Sequence, residues 1–166
     1  MMNHRQPSIA FVRLTEIPIQ EILGLLNEPR NARHMPLAGT LTQEEAEGWV
    51  RAKDAQWEEH GYGPWAVLVG REFAGWCGFQ SEEDAADFAL VLLPAQWGLG
   101  ADIAKAALNK GFDELGLDVV TIALPFTRSP TKVVARFGFV PDGEITYGSA
   151  AFRRYRLARE DWRSAR

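Results

Sequence analysis

Residues 92–102 read Leu92-Leu93-Pro94-Ala95-Gln96-Trp97-Gly98-Leu99-Gly100-Ala101-Asp102. They follow an apolar run, residues 87–93, and precede an amphipathic segment, residues 101–115, which predicts a buried strand, a turn and a helix. The first N–H groups of a helix lack partners within it, and Gly98 and Gly100 let a ligand approach the backbone closely. The stretch therefore predicts an anion site suited to a phosphate or diphosphate, with an ordinary strand–turn–helix connection as the alternative.

Two other phosphate-binding motifs do not fit this stretch. A dinucleotide fingerprint requires Gly or Ala where Ile103 stands, and an acid after a second strand, whereas Asp118 precedes its strand. The sequence has no Gly-Lys-Ser/Thr of a Walker loop, no His-Glu-x-x-His, no zinc-ligand spacing and no Gly-x-Ser-x-Gly elbow. We therefore expect no metal ion in the site.

Length and composition limit the classes of protein that fit. The chain has 166 residues, of which 46% are hydrophobic and 24% charged, so we expect a single domain spanning residues 1–166. A net charge of −4 removes the positive field that nucleic-acid binding uses, so we expect no nucleic-acid partner. Cys77 has no second cysteine to pair with, and every apolar run is too short for a bilayer, which predicts a cytoplasmic protein without membrane contact.

Signals for the remaining elements predict the fold class. Thr42 and Glu45 predict a capping box that begins a helix, and Gly61 predicts its end. Residues 70–72 predict the turn of a β-hairpin, and residues 27–40, which contain three prolines or glycines, predict an irregular segment. Strand and helix signals alternate only in the second half. The pattern predicts a mixed α/β (α+β) fold with a central mixed sheet of six or seven strands and about four flanking helices.

The order of these motifs resembles the GNAT superfamily of N-acetyltransferases. The resemblance rests on the strand ending at Pro94, on Trp97-Gly98-Leu99-Gly100-Ala101, on Arg136-Phe137-Gly138-Phe139 and on Asp142-Gly143-Glu144. Within the superfamily the chain resembles the ribosomal-protein N-acetyltransferase branch, whose closing acidic-Trp segment is matched by Glu160-Asp161-Trp162. The resemblance covers essentially the whole chain. It implies a GNAT-like fold, acetyl-coenzyme A (acetyl-CoA) as donor, and a protein N-terminus or small primary amine as acceptor, in a monomer or homodimer.

The resemblance also implies where acetyl-CoA binds. Its diphosphate would lie on the N–H groups of the glycine-containing turn, and its pantetheine arm would pair like a strand with the backbone before Pro94. Its thioester would lie in the gap where two central strands splay. The implied cofactor-binding residues are Val91, Leu92, Leu93, Trp97, Gly98, Leu99, Gly100, Ala101, Asp102, Thr127 and Lys132.

Four positions depart from the family pattern. Trp97 stands where the family often has Gln or Arg, and Asp102 where it has Gly or Ala. Thr127 replaces an Asn that bonds pantetheine, and Val134 replaces the Tyr that protonates the departing thiolate. The missing tyrosine keeps an alternative open, a non-catalytic acyl-CoA-binding or regulatory module of the same fold. A longer acyl-CoA donor is a further alternative.

Acetyl transfer to an amine requires a base, because a primary amine is mostly protonated at pH 7. Asp87, which opens the central strand, is the first candidate for this base, with a solvated strand-end acid as the alternative. His34, in the segment expected to be irregular, is a second candidate. Tyr155 and Tyr147 are candidate proton donors or pocket walls, and core packing is the alternative for Tyr155. A backbone N–H near Val91 would stabilise the oxyanion.

Overall fold

A seven-stranded sheet forms the centre of the computed structural model, which describes residues 7–32, 40–83, 85–126 and 131–165. The strand order is β1-β2-β3-β4-β5-β7-β6, and all neighbours are antiparallel except β4 and β5. This mixed sheet confirms the expected fold class. The strands are β1 Ile9–Arg13, β2 Pro64–Val69, β3 Glu72–Glu82, β4 Ala85–Leu92, β5 Val119–Pro125, β6 Val140–Tyr147 and β7 Ala150–Ala158.

The described residues form six α-helices, whereas the sequence predicts about four. One of the additional helices, α2, is a single turn inside the segment expected to be irregular, so that expectation is wrong for its four residues. Pro29 is its first residue, a position where the missing N–H of proline costs nothing. The α-helices are α1 Ile19–Leu26, α2 Pro29–Ala32, α3 Gln43–His60, α4 Gly100–Asn109, α5 Thr131–Phe137 and α6 Arg159–Ala165.

The sheet separates two hydrophobic clusters. Buried residues of α1 and α3 belong to one cluster, and those of α4 and α6 belong to the other. Along β4, Ala89 and Val91 join the first cluster, whereas Leu90 and Leu92 join the second. Because successive side chains of a strand point to opposite faces, the clusters lie on opposite sides of the sheet, which we call the α3 face and the α4 face. By the same alternation Asp87 points to the α3 face.

The two central strands part soon after they begin to pair. β4 and β5 are matched only at Ala86 with Val120 and at Asp87 with Thr121. Beyond these pairs, β4 is matched with β3 alone and β5 with β7 alone. One edge of β4 therefore faces a gap from Phe88 onward, as the resemblance implies.

Helix α3 begins with the capping box that the sequence predicts. Thr42 Oγ1 accepts a hydrogen bond from the N–H of Glu45 at 3.2 Å, and the Glu45 carboxylate accepts from the N–H of Thr42 at 3.1 Å. We expect Thr42→Ala to lower the free energy of unfolding by about 1 kcal/mol, measured by urea denaturation. Thr42→Ser keeps the acceptor oxygen and is the control, and an alanine variant as stable as the parent would contradict the capping role.

Candidate active site

Asp87 lies where β4 and β5 part. The residue is 9% exposed, and its Oδ1 accepts a hydrogen bond from Thr121 Oγ1 at 2.8 Å. Burial and, to a smaller extent, the charge of Glu82 raise the pKa of Asp87, whereas the Thr121 bond and the cations Arg154 and Lys53 lower it, and the resulting pKa is about 7. A carboxyl group with this pKa exchanges a proton near neutral pH, as a general base must.

Charged and polar side chains from neighbouring elements lie near Asp87 on the α3 face. Gln80 lies directly opposite Asp87 in the β3–β4 register, and Lys53 of α3 donates a hydrogen bond to Gln80 Oε1. Arg154 of β7 forms ion pairs with Glu83 at 3.1 Å and with Asp142 at 3.6 Å. Strand pairing through β5 places Arg154 on the same face as Asp87. The arrangement places an ion-paired guanidinium, that of Arg154, and the ammonium of Lys53 near one buried carboxyl group.

Tyr147, at the end of β6, lies on the same side of the sheet. Its ring packs edge-to-face on Phe152 with 5.2 Å between ring centroids. Burial, and then the negative charges of Asp87 and Glu82, raise the pKa of Tyr147 well above its ordinary value. The hydroxyl therefore keeps its proton and is available as a hydrogen-bond donor. Tyr147 is the tyrosine that the fold brings towards Asp87.

The structure corrects the assignment of Tyr155. Tyr155 is 7% exposed, lies opposite Ile122 of β5 and packs in the cluster on the α4 face. Asp87 points to the other face, so the fold does not bring these side chains together, and we assign Tyr155 to packing. Val134, where the family has its tyrosine, packs against the same cluster and carries no acid.

Three expected site residues are described in part or not at all. His34 and Thr127 lie outside the described residues. Lys132 lies in the first turn of α5, and only its backbone is described.

The turn before α4 leaves open space over its glycines. Pro94–Leu99 form a 3-10 turn that runs directly into α4, so the N–H of Gly100 donates to the carbonyl of Trp97. No side chain caps α4. A Cβ on Gly98 would meet nothing within 4 Å, and one on Gly100 would meet only Leu92 Cδ1 at 4.0 Å. The turn is therefore open over both glycines, and Gly100 N–H is engaged within it.

Backbone direction on β4 corrects the expected oxyanion donor. The N–H of Leu93 donates to the carbonyl of Ala74 on β3 at 2.8 Å. Because N–H groups alternate sides along a strand, Val91 N–H also points to β3, and Leu90 N–H points to the gap. Leu90, not Val91, therefore offers a backbone donor where the strands part.

The carbonyl of Leu92 joins the turn and α2 to the end of β4. It accepts one hydrogen bond from Trp97 Nε1 at 3.0 Å and another from Asn31 Nδ2 at 3.1 Å. The departure from the family pattern at Trp97 thus has a structural consequence, because the indole fastens the start of the turn to the strand.

The comparison with known protein families identifies the chain. A family model described as an acetyltransferase (GNAT) domain matches residues 10–140. The chain belongs to the GNAT acetyltransferase family. It is an acyltransferase that uses acetyl-CoA, and the expected superfamily is confirmed. A search of curated proteins found no match.

Solved structures show the same fold as this GNAT acetyltransferase. An acetyltransferase from Agrobacterium tumefaciens is 17% identical with a TM-score of 0.71, over 95% of this chain and 94% of that one. A GNAT-family acetyltransferase from Bacillus anthracis is 16% identical with a TM-score of 0.69, over 94% and 96% of the two chains. Spermidine N-acetyltransferase from Vibrio cholerae, solved with CoA and spermine, is 15% identical with a TM-score of 0.73, over 95% and 98%.

Sequence reasoning about this acetyltransferase missed Thr121, Lys53 and Gln80. Thr121 bonds Asp87 across the β4–β5 pairing, and Lys53 of α3 bonds Gln80, which lies opposite Asp87 on β3. None of these contacts is local in the sequence. Among the residues that the structure describes, no group of three or more His, Cys, Asp or Glu side chains is placed to hold a metal ion. Within the same residues, no helix is long and apolar enough to cross a membrane.

Proposed function

We propose that this GNAT acetyltransferase, acting as one domain over residues 1–166, acetylates a primary amine by direct attack in a ternary complex with acetyl-CoA, and that Asp87 is the general base. One observation carries the proposal. A buried carboxyl group with a pKa of about 7 lies at the point where the central strands part. An acid titrating near the working pH is the most effective acceptor of the ammonium proton.

Each group near the gap has a role in this proposal. Acetyl-CoA supplies the acetyl group as a thioester. Thr121 holds Asp87 Oδ1 at 2.8 Å, which fixes the carboxylate and leaves its other oxygen to accept the proton. Leu90 N–H, directed to the gap, donates to the oxygen on which negative charge develops. Tyr147 keeps its hydroxyl proton and replaces Tyr155 as the candidate hydrogen-bond donor to the departing thiolate, which it stabilises without giving up that proton.

The remaining cofactor-binding residues complete the proposal. The diphosphate binds the first turn of α4, over Gly98 and Gly100, and Trp97 fixes that turn to β4. The pantetheine arm follows the open edge of β4. Backbone groups thus supply most of the anion binding, which suits a chain with a net charge of −4.

The acceptor is a protein N-terminal amine, as in the ribosomal-protein branch, or a small amine. The Vibrio cholerae relative is a spermidine N-acetyltransferase solved with spermine, so polyamines belong among the amines to be tested. At 15% identity the relative supports the fold and leaves the acceptor to experiment.

The test combines binding with turnover. Calorimetric titration with acetyl-CoA should show one saturable site, and a free-thiol assay should show release of CoA with at least one amine. The panel consists of peptides with free N-termini, matching N-terminally blocked peptides containing lysine, and spermidine. Mass spectrometry of the product identifies the acetylated nitrogen. Acetyl-CoA binding without thiol release for every amine would contradict catalysis and favour a binding module.

A further inference from the structure

Lys53 lies among aromatic rings on the α3 face. Its Nζ is 5.7 Å from the ring centroid of Trp49 and 5.4 Å from that of Trp76. It donates a hydrogen bond to Gln80 Oε1. Within the described part of the chain, no carboxylate lies at ion-pair distance from Lys53, so its contacts there are a neutral amide and two π-faces. Such contacts hold an ammonium in place without a direct ion-pair partner.

The partner of Lys53 places that charge beside Asp87. Gln80 and Asp87 are directly opposite each other on β3 and β4, where side chains on one face have Cβ atoms about 5 Å apart. Lys53 therefore stands above this cross-strand pair. Burial lowers the pKa of Lys53, and the charges of Glu82 and then Asp87 act against that lowering. The effect is mutual, because the charge of Lys53 lowers the pKa of Asp87.

We propose that Lys53 is a positioning residue for Asp87, because Trp49, Trp76 and Gln80 hold its ammonium where it stabilises the ionised carboxylate. The inference deepens the proposed function, which assigns the base to Asp87. Without Lys53, a smaller fraction of Asp87 is ionised at neutral pH, and fewer enzyme molecules are ready to take a proton from the acceptor.

Lys53 differs from the other polar and charged groups that affect the ionisation of Asp87. Glu82 of β3 opposes ionisation of Asp87, and Thr121 of β5 and Arg154 of β7 favour it. Tyr147 of β6 stays neutral because its pKa is raised. The charge of Arg154 is shared with two carboxylates, those of Glu83 and Asp142. Two cations lower the pKa of Asp87, and of these Lys53 is the one whose described hydrogen-bond partner, Gln80, is neutral.

A titration that needs no acceptor substrate tests the inference. The carboxyl carbon of Asp87 is followed by NMR against pH in ¹³C-aspartate-labelled protein. Lys53→Met keeps an apolar stem against the tryptophans and removes the charge, and it should raise the midpoint of Asp87 by about 0.5 to 1 pH unit. Lys53→Arg should restore the midpoint. Arg51→Met, which removes an exposed charge from the same helix, is the matched control and should leave it unchanged.

Kinetics give the second measurement. In Lys53→Met, kcat/KM should fall about threefold to tenfold at pH 6.5 and recover above pH 9, where Asp87 is ionised in both proteins. An unchanged NMR midpoint, or an equal shift in Arg51→Met, would overturn the inference. A loss of activity of the same size at every pH would show a purely structural role and overturn it as well. If Lys53→Met does not fold, Lys53→Gln serves in the same titration. A shifted midpoint in a protein that acetylates no amine would refute the proposed function and leave this inference standing.

Discussion

Gly100→Glu is expected to weaken acetyl-CoA binding by at least about 100-fold while the protein stays folded. The new carboxylate would lie in the first turn of α4 and repel the diphosphate. The fold tolerates it because the backbone at Gly100, with φ −53° and ψ −44°, is helical, and the nearest atom to a new Cβ is 4.0 Å away. An acid at a helix N-terminus also favours the helix dipole. Calorimetric titration measures the affinity, and thermal unfolding checks the fold.

Two control variants separate charge from size and from position. Gly100→Gln has the same bulk without the charge, so most of the affinity should remain. Gly24→Glu adds the same charge to an exposed position of α1, where a Cβ meets nothing within 4 Å, and affinity should not change. If Gly100→Glu binds acetyl-CoA as tightly as the parent, the anion site is elsewhere. If Gly100→Gln loses as much affinity as Gly100→Glu, the side chain blocks the site by volume instead of charge.

Features encoded by neighbouring residues could be predicted from the sequence. The capping box of α3 requires only Thr42 and Glu45, three positions apart, and both of its hydrogen bonds are present. The order of strand, turn and helix around Gly98 is likewise local, because Pro94 ends the strand and the apolar spacing after Gly100 is helical. Capping and turn signals of this kind depend on residues within one or two turns of backbone, and the packing of the whole fold seldom reverses such local preferences.

Features that depend on strand register could not be predicted. The sequence offers Tyr147 and Tyr155 equally as candidate proton donors. The face of the sheet on which each side chain lies depends on strand pairing, because a shift of one residue exchanges the two faces. The alternation of N–H directions along β4 likewise decides that Leu90 N–H, and not Val91 N–H, is directed to the gap. The hydrogen bond from Leu93 N–H to the carbonyl of Ala74 fixes that alternation. The bond from Thr121 to Asp87 also needs the short parallel pairing of β4 with β5.

Asp87→Asn is expected to lower kcat/KM by about 100-fold or more at pH 7.5, the usual contribution of a general base. In the parent enzyme, kcat/KM should rise with pH through a midpoint near 7, because only the ionised carboxylate accepts a proton. The Asp87→Asn variant should lack this rise of kcat/KM with pH. Its deficit should shrink towards pH 10, where the acceptor amine loses its proton unaided. Steady-state rates from pH 5.5 to pH 10 check this, and a constant deficit across the range would remove Asp87 as the base.

The same substitution should make the protein more stable at pH 8. The folded-state pKa of Asp87, about 7, exceeds its ordinary value of 3.8, so folding favours the protonated carboxyl and stability falls as pH rises from about 4 through 7. Asparagine never ionises and keeps an oxygen for Thr121, so Asp87→Asn should gain up to about 4 kcal/mol at pH 8 and almost nothing at pH 3. Urea denaturation at both pH values measures this. If Asp87→Asn is more stable and less active than the parent, unfolding cannot explain its lost activity. If it is less stable than the parent at pH 8, the ionised carboxylate of Asp87 stabilises the fold, which contradicts the prediction.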